Sequence, residues 1–110
     1  MLAGAGASGR NAIITANEYA PDEKHPLMGL IAGGALAMLH SMSEAAQDYN
    51  RGVLDLQAIG FSQKDMLVAL TVGGKTPWLW GALRHAWSLG APRAVITRYA
   101  VSEATELADI

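Results

Sequence analysis

Cysteine is absent from this chain of 110 residues, which excludes disulfides and thiolate metal sites. Charge is scarce as well: Asp, Glu, Lys and Arg make up 16% of the sequence, against roughly 25% in an ordinary globular domain. A small domain has a high surface-to-volume ratio and should need more charge, not less. The shortfall implies that some surface is covered, by a second copy or by more of the same chain. There is no long basic run, and the net charge is −2. Nucleic acid, which is held by clustered Lys and Arg, is therefore not an expected partner. Glycine interrupts the longest apolar runs within a few residues, too soon to span a bilayer, and the N-terminus has no signal-peptide pattern. The expectation is a soluble, cytoplasmic chain with no membrane partner. His25, His40 and His85 stand alone, without the paired spacing of a metal site.

What remains is an apolar chain, 51% hydrophobic, with material for one core. Three short apolar runs, over residues 27–32, 66–71 and 93–97, have strand length and do not alternate with polar residues. Strands buried on both faces look like this, which predicts a parallel sheet with helices on either side. Helical patterns lie between them. From Gly9 to Tyr19, Ala12, Ile13, Ala16 and Tyr19 share a face; Gly34 to Met42 is rich in Ala, Leu and Met. From Arg51 to Ile59, Val53, Leu54, Leu56 and Ile59 form an apolar side. Pro77 to Leu89 has the clearest punctuation, with Thr76 as N-cap, Pro77 in the first turn and Gly90 just past the end. The three tryptophans in it, Trp78, Trp80 and Trp87, are expected in core or interface. A first strand has only Met1, Leu2 and Ala3 ahead of Gly4, where about five residues are usual. With the abrupt ending Glu106 to Ile110, this leads to the expectation of one partial domain over residues 1–110, truncated at both ends.

Two glycine-rich loops follow strands and open helices. In Gly4-Ala5-Gly6-Ala7-Ser8-Gly9 the glycines let backbone N–H groups approach an anion, and the helix N-terminus adds favourable partial charge. Ser8 offers a hydroxyl and Arg10 a charge. The plain alternative is a tight turn that packs helix on sheet. The spacing matches the dinucleotide fingerprint, but the second strand ends Leu30-Ile31-Ala32-Gly33-Gly34 with no acid for a ribose; Asp22 and Glu23 precede it. The second loop, Val72 to Pro77, carries Gly74-Lys75-Thr76, yet Ala69 stands where a nucleotide-binding P-loop needs its first glycine. A helix N-terminus with glycine amides, Lys75 and Thr76 survives. Both loops belong at the carboxyl ends of parallel strands, where ligands bind, so a small anionic ligand is expected.

Taken in order, these segments resemble the sugar isomerase (SIS) domain, and within it the N-acetylmuramic acid 6-phosphate etherases. The family reads GAGTSGR where this chain has Gly4 to Arg10, and DASECPP where it has Thr15 to Pro21. GLIAGG matches Gly29 to Gly34 in full. EGAED corresponds to Glu44-Ala45-Ala46-Gln47-Asp48, and ASGRTPY to Val72 to Trp78. Later matches are Gly81-Ala82-Leu83, Ala86, Gly90-Ala91 and Leu107 to Ile110. The resemblance implies a three-layer αβα sandwich with a parallel sheet, SIS-type and flavodoxin-like, present here in part.

It also implies cleavage of the D-lactyl ether of N-acetylmuramic acid 6-phosphate by elimination and water addition, with no cofactor, in a homodimer. The sugar phosphate would contact Gly6, Ser8, Gly9, Gly74, Lys75 and Thr76. Glu18, in the DASE position, would assist the departure of lactate. The family's second glutamate falls on Gln47 by motif, or on Ala46 when the alignment runs ungapped through Asp55. Neither side chain exchanges a proton near neutral pH. The family's threonine is Ala7 here, its serine is Gly73, and its arginine is Lys75, which keeps the charge but loses the planar fork. The implied function is a sugar-phosphate-binding SIS domain with impaired etherase activity. The alternative is a non-catalytic regulatory module, as in a vertebrate regulator of glucokinase.

Overall fold

A computed structural model describes residues 1–18, 27–39 and 43–110. Tyr19, Pro21, Asp22, Glu23, His25, His40 and Met42 lie outside the described residues.

The three apolar runs are strands: β2 (Gly29–Ile31), β3 (Leu67–Leu70) and β4 (Arg93–Ile96). The short N-terminal run is one too, β1 (Leu2–Gly4), and it lies in the middle of the sheet. The order is β2-β1-β3-β4, and every pairing is parallel. β1 survives at three residues because both its edges are bonded. Leu2 donates to the Met28 carbonyl at 2.8 Å, the Gly4 carbonyl accepts from Ala32 at 3.1 Å, and the Met1 carbonyl accepts from Val68 at 2.8 Å.

Helix α1 (Gly6–Glu18) begins three residues ahead of the expected start and covers one face through Gly9, Ala12 and Ala16. These are small because the helix lies close to the sheet. A Cβ on Gly9 would stand 2.6 Å from the Gly4 carbonyl oxygen, and one on Gly29 would stand 2.8 Å from the Cα of Ile13. The other face carries the main core, in which Ala3, Leu67 and Ala69 meet Trp78, Leu79 and Leu83 of the long helix α4 (Pro77–Ser88).

Gly34 to Met42 does not form the expected α-helix over its described part. Gly33 and Gly34 both have positive φ, 93° and 69°, and the chain enters a tight 3-10 helix over Gly34–Met38. One α-helical turn follows, α2 (Ser43–Ala46), then α3 (Tyr49–Ala58). Asp48 caps α3, its carboxylate accepting from the Arg51 amide at 3.0 Å. The expected apolar side of α3 is only partly buried: Leu56 is, while Leu54 and Ile59 are exposed. What α3 buries instead is Gly52, which rests on the Trp78 carbonyl of α4, while Gly81 of α4 rests on the Tyr49 carbonyl. Two backbones in such contact leave little room for side chains between them.

Of the three tryptophans, Trp78 is fully buried and donates to Asp55 at 2.9 Å. Trp87 is half-exposed, with the guanidinium groups of Arg84 and Arg93 over its ring. After β4 comes α5 (Glu103–Glu106), capped by Ser102, and Arg93 pairs with Asp109 at 2.8 Å. No helix among the described residues is long and apolar enough to cross a membrane.

Candidate functional site

The sheet reverses its strand order between β1 and β3. At such a switch point the loops leaving the two strands run to opposite faces and open a crevice at the carboxyl edge. The two glycine-rich loops are the loops in question. Between them lies a cleft of about 290 Å³ lined by Ala5, Ala7, Ser8, Leu70, Thr71, Val72, Gly73, Lys75 and Thr76. A second lobe of about 240 Å³ adjoins it and shares Ala5 and Thr76. Its other walls are Gly6, Arg10, Ala32, Ala37, Ser43 and Ala46.

Helix α4 supplies one wall of donors. Thr76 has extended N-cap geometry, yet its side chain makes no cap bond, so the hydroxyl is available to the cleft. Pro77 lacks an N–H and fits the first turn without leaving a donor unmet. Lys75 is exposed beside Thr76. On the facing wall, Ser8 sits in the first turn of α1, where backbone N–H groups have no partner within the helix and the dipole favours an anion.

The loop after β3 is held in shape before any ligand arrives. The Gly74 amide donates to the buried Thr71 hydroxyl at 3.1 Å, and the Gly74 carbonyl accepts from the Trp80 indole at 2.8 Å and from the Ala104 amide at 3.3 Å. Gly74 has φ of 70°, and an added Cβ would meet Ser102. Its glycine is thus required by loop conformation and by the close seat of α5's cap, and its amide is already bonded.

The expected site residues therefore separate. Ser8, Lys75 and Thr76 line the first lobe and Gly6 the second. Gly9 is buried against Gly4 and Ile31, and Gly74 shapes its loop. Glu18 ends α1, about 18 Å along the helix axis from Gly6, toward the opposite edge of the sheet. Gln47 is exposed in the turn after α2, whereas Ala46 is in the wall of the second lobe. Glu44 and Asp48 border a separate hollow with Gly33, Ala45 and Arg51. Sequence reasoning did not find the second lobe, because its walls come from four segments whose approach no local pattern encodes. Among the described residues, no three His, Asp or Glu side chains gather as a metal site.

The sequence pattern of the glucokinase regulatory protein N-terminal SIS domain matches residues 1–87. The chain belongs to this SIS-domain family. This SIS domain is also similar to proteins named N-acetylmuramic acid 6-phosphate etherase. It is 42% identical over 110 residues to the one from Actinobacillus pleuropneumoniae serotype 5b, covering 97% of this chain and 36% of that protein. The Photorhabdus laumondii protein gives the same three figures, 42%, 97% and 36%. The Aliivibrio fischeri MJ11 protein is 41% identical over all of this chain and 38% of its own length. The SIS domain thus spans little more than a third of the curated relatives it matches.

Proposed function

We propose that this SIS domain binds a sugar 6-phosphate, with the phosphate held between Ser8 on one wall and Lys75 and Thr76 on the other. The observation that carries the reading is the meeting of two helix N-termini, with two hydroxyls and an ammonium, at the switch point of the sheet. The etherase relatives favour N-acetylmuramic acid 6-phosphate or its product N-acetylglucosamine 6-phosphate as the sugar. A phosphorylated sugar of cell-wall recycling as ligand supports a cytoplasmic setting for the domain.

Etherase chemistry needs two proton-handling groups. A base takes the proton from the carbon beside the masked carbonyl, the bond from the sugar to the lactyl oxygen breaks, and an acid protonates the departing oxygen. Water then adds across the double bond. Among the described residues that line the two lobes there is no carboxylate. Ala46 occupies the wall of the second lobe, and Glu18 lies at the far end of α1. In a homodimer, a second copy packed against that edge would take Glu18 into its own cleft without distorting α1. Even so, among the described residues Glu18 is the one matched family acid, where two are needed, which supports the reading of an impaired lyase. The same absence of carboxylates from the lobes favours, as a second reading, a module that senses a sugar phosphate without cleaving it.

Titration calorimetry with N-acetylglucosamine 6-phosphate and with the unphosphorylated sugar tests the binding. Saturable heats are expected for the phosphorylated sugar alone. Equal weak heats for both remove the phosphate reading, and tight binding of NADH in their place restores the dinucleotide one.

A further inference from the structure

Two peptide N–H groups in the loop after β3 make no hydrogen bond among the described residues, those of Gly73 and Lys75, although the Gly74 amide between them is bonded to Thr71. Gly73 and Lys75 line the first lobe, and Gly74 does not. What turns the two amides lies on the far side of their peptide planes. Every peptide bond among the described residues is trans, so the carbonyl and the N–H of one unit point in opposite directions. The Val72 carbonyl, joined to the Gly73 N–H, accepts from the Thr97 hydroxyl at 2.9 Å and from the Arg98 amide at 3.3 Å. These partners follow β4, so the carbonyl faces β4 and the Gly73 N–H faces the β1 side, where the cleft lies. The Gly74 carbonyl, joined to the Lys75 N–H, accepts from the Trp80 indole at 2.8 Å and from the Ala104 amide at 3.3 Å. Neither Trp80 nor Ala104 borders either lobe, so that carbonyl is held away from the cleft and the Lys75 N–H is turned toward it.

We infer that Trp80 and Thr97 are positioning residues, which from outside the cleft hold two peptide planes so that the Gly73 and Lys75 N–H groups face a bound phosphate. The inference rests on the reading of a phosphate in the first lobe and adds which residues set its donors. Backbone N–H groups turned toward one point form a concave anion seat. The Lys75 ammonium rides on a flexible stem, whereas these donors are oriented before the ligand arrives, which lowers the cost of binding. At each carbonyl the shorter bond comes from the side chain, so a substitution removes it and leaves the backbone bond in place. The coupling also runs in reverse. An anion bonded to the Lys75 N–H polarises the peptide and makes the Gly74 oxygen a stronger acceptor for the Trp80 indole.

Titration of the isotopically labelled chain with N-acetylglucosamine 6-phosphate, and separately with inorganic phosphate, tests this by magnetic resonance. The Trp80 indole proton should move downfield along the same curve as the Lys75 amide, while the indole of half-exposed Trp87 stays in place as a reference. Trp80→Phe keeps an aromatic ring and removes the donor, and affinity should fall about two- to tenfold, the range of a single hydrogen bond. Thr97→Val should lose a similar factor, while Thr97→Ser, which keeps the hydroxyl, should retain the parent affinity. A Trp80 resonance that stays fixed while the Lys75 amide shifts overturns the inference and leaves the sugar-phosphate reading standing. So does an unchanged affinity in folded Trp80→Phe, or a Thr97→Ser chain that binds as weakly as Thr97→Val. If Trp80→Phe does not fold, the indole shift of the unaltered chain and the Thr97 pair decide. Coupled shifts with inorganic phosphate alone support the positioning and refute the sugar. If neither anion shifts the Lys75 amide, both readings fail together.

Discussion

Thr76 has the backbone of an N-cap without the bond that such a residue ordinarily makes. A hydroxyl in that position, facing both lobes, is set to donate to an oxyanion. Thr76→Val keeps the branched shape and removes the donor. A hydrogen bond to a charged group is worth about 1.5 kcal/mol or more, so affinity for a sugar phosphate should fall about tenfold, read by the same calorimetry, with the thermal midpoint little changed. The residues that sequence reasoning assigned to the phosphate divide at this scale. Ser8, Lys75 and Thr76 carry donors and line the first lobe, because chemistry in a short loop is local and legible. Gly9 and Gly74 bear the marks of phosphate glycines, yet their small size is needed for close approach to Gly4 and for clearance of Ser102. A glycine in a sequence does not disclose whether it makes room for a ligand or for another part of the chain.

Helix α3 is attached to α4 by two glycines, Gly52 and Gly81, each lying on a carbonyl of the other helix. An added methyl at Gly52 has backbone, not a flexible side chain, in its way. Gly52→Ala should therefore force the helices apart and destabilise the fold by about 1–3 kcal/mol, as overpacked cores do, seen as a lower midpoint in urea denaturation. A variant as stable as the parent would contradict the contact. Elements announced by punctuation were readable in the sequence: α4 by Thr76, Pro77 and Gly90, and the strands by short apolar runs. Elements fixed by neighbours were not. The Ala- and Leu-rich stretch after Gly33 has good helix formers, but two consecutive left-handed glycines set the entry and a 3-10 helix results. In α3 the apolar pattern pointed to Leu54 and Ile59, whereas the buried contact is made by Gly52, which no hydrophobic pattern marks. The second lobe was hidden for the same reason, since its walls come from α1, the 3-10 helix, α2 and the start of α4.

At the scale of the whole molecule, strand order locates the cleft and the helix length separates it from Glu18. On the proposed lyase reading, catalysis would require a second copy and a replacement for the family's second carboxylate. Motif alignment places that loss at Gln47 and ungapped alignment at Ala46, and Ala46 is the one that lines the cleft. Ala46→Glu should therefore raise D-lactate release from N-acetylmuramic acid 6-phosphate, by on the order of tenfold for a single restored acid–base group, while Gln47→Glu does little. Adding Glu18→Gln should abolish the gain. Rapid lactate release by the unaltered chain would refute the impaired-enzyme reading.

One phosphate clasped by both glycine loops is what the proposed function requires, and amide resonances of the isotopically labelled chain report on this directly. On titration with N-acetylglucosamine 6-phosphate, the amides of Gly6, Ala7 and Ser8 and those of Gly73, Lys75 and Thr76 should shift together, along one binding curve. Shifts confined to a single loop, or clustered at the opposite edge of the sheet near Glu18, would contradict it.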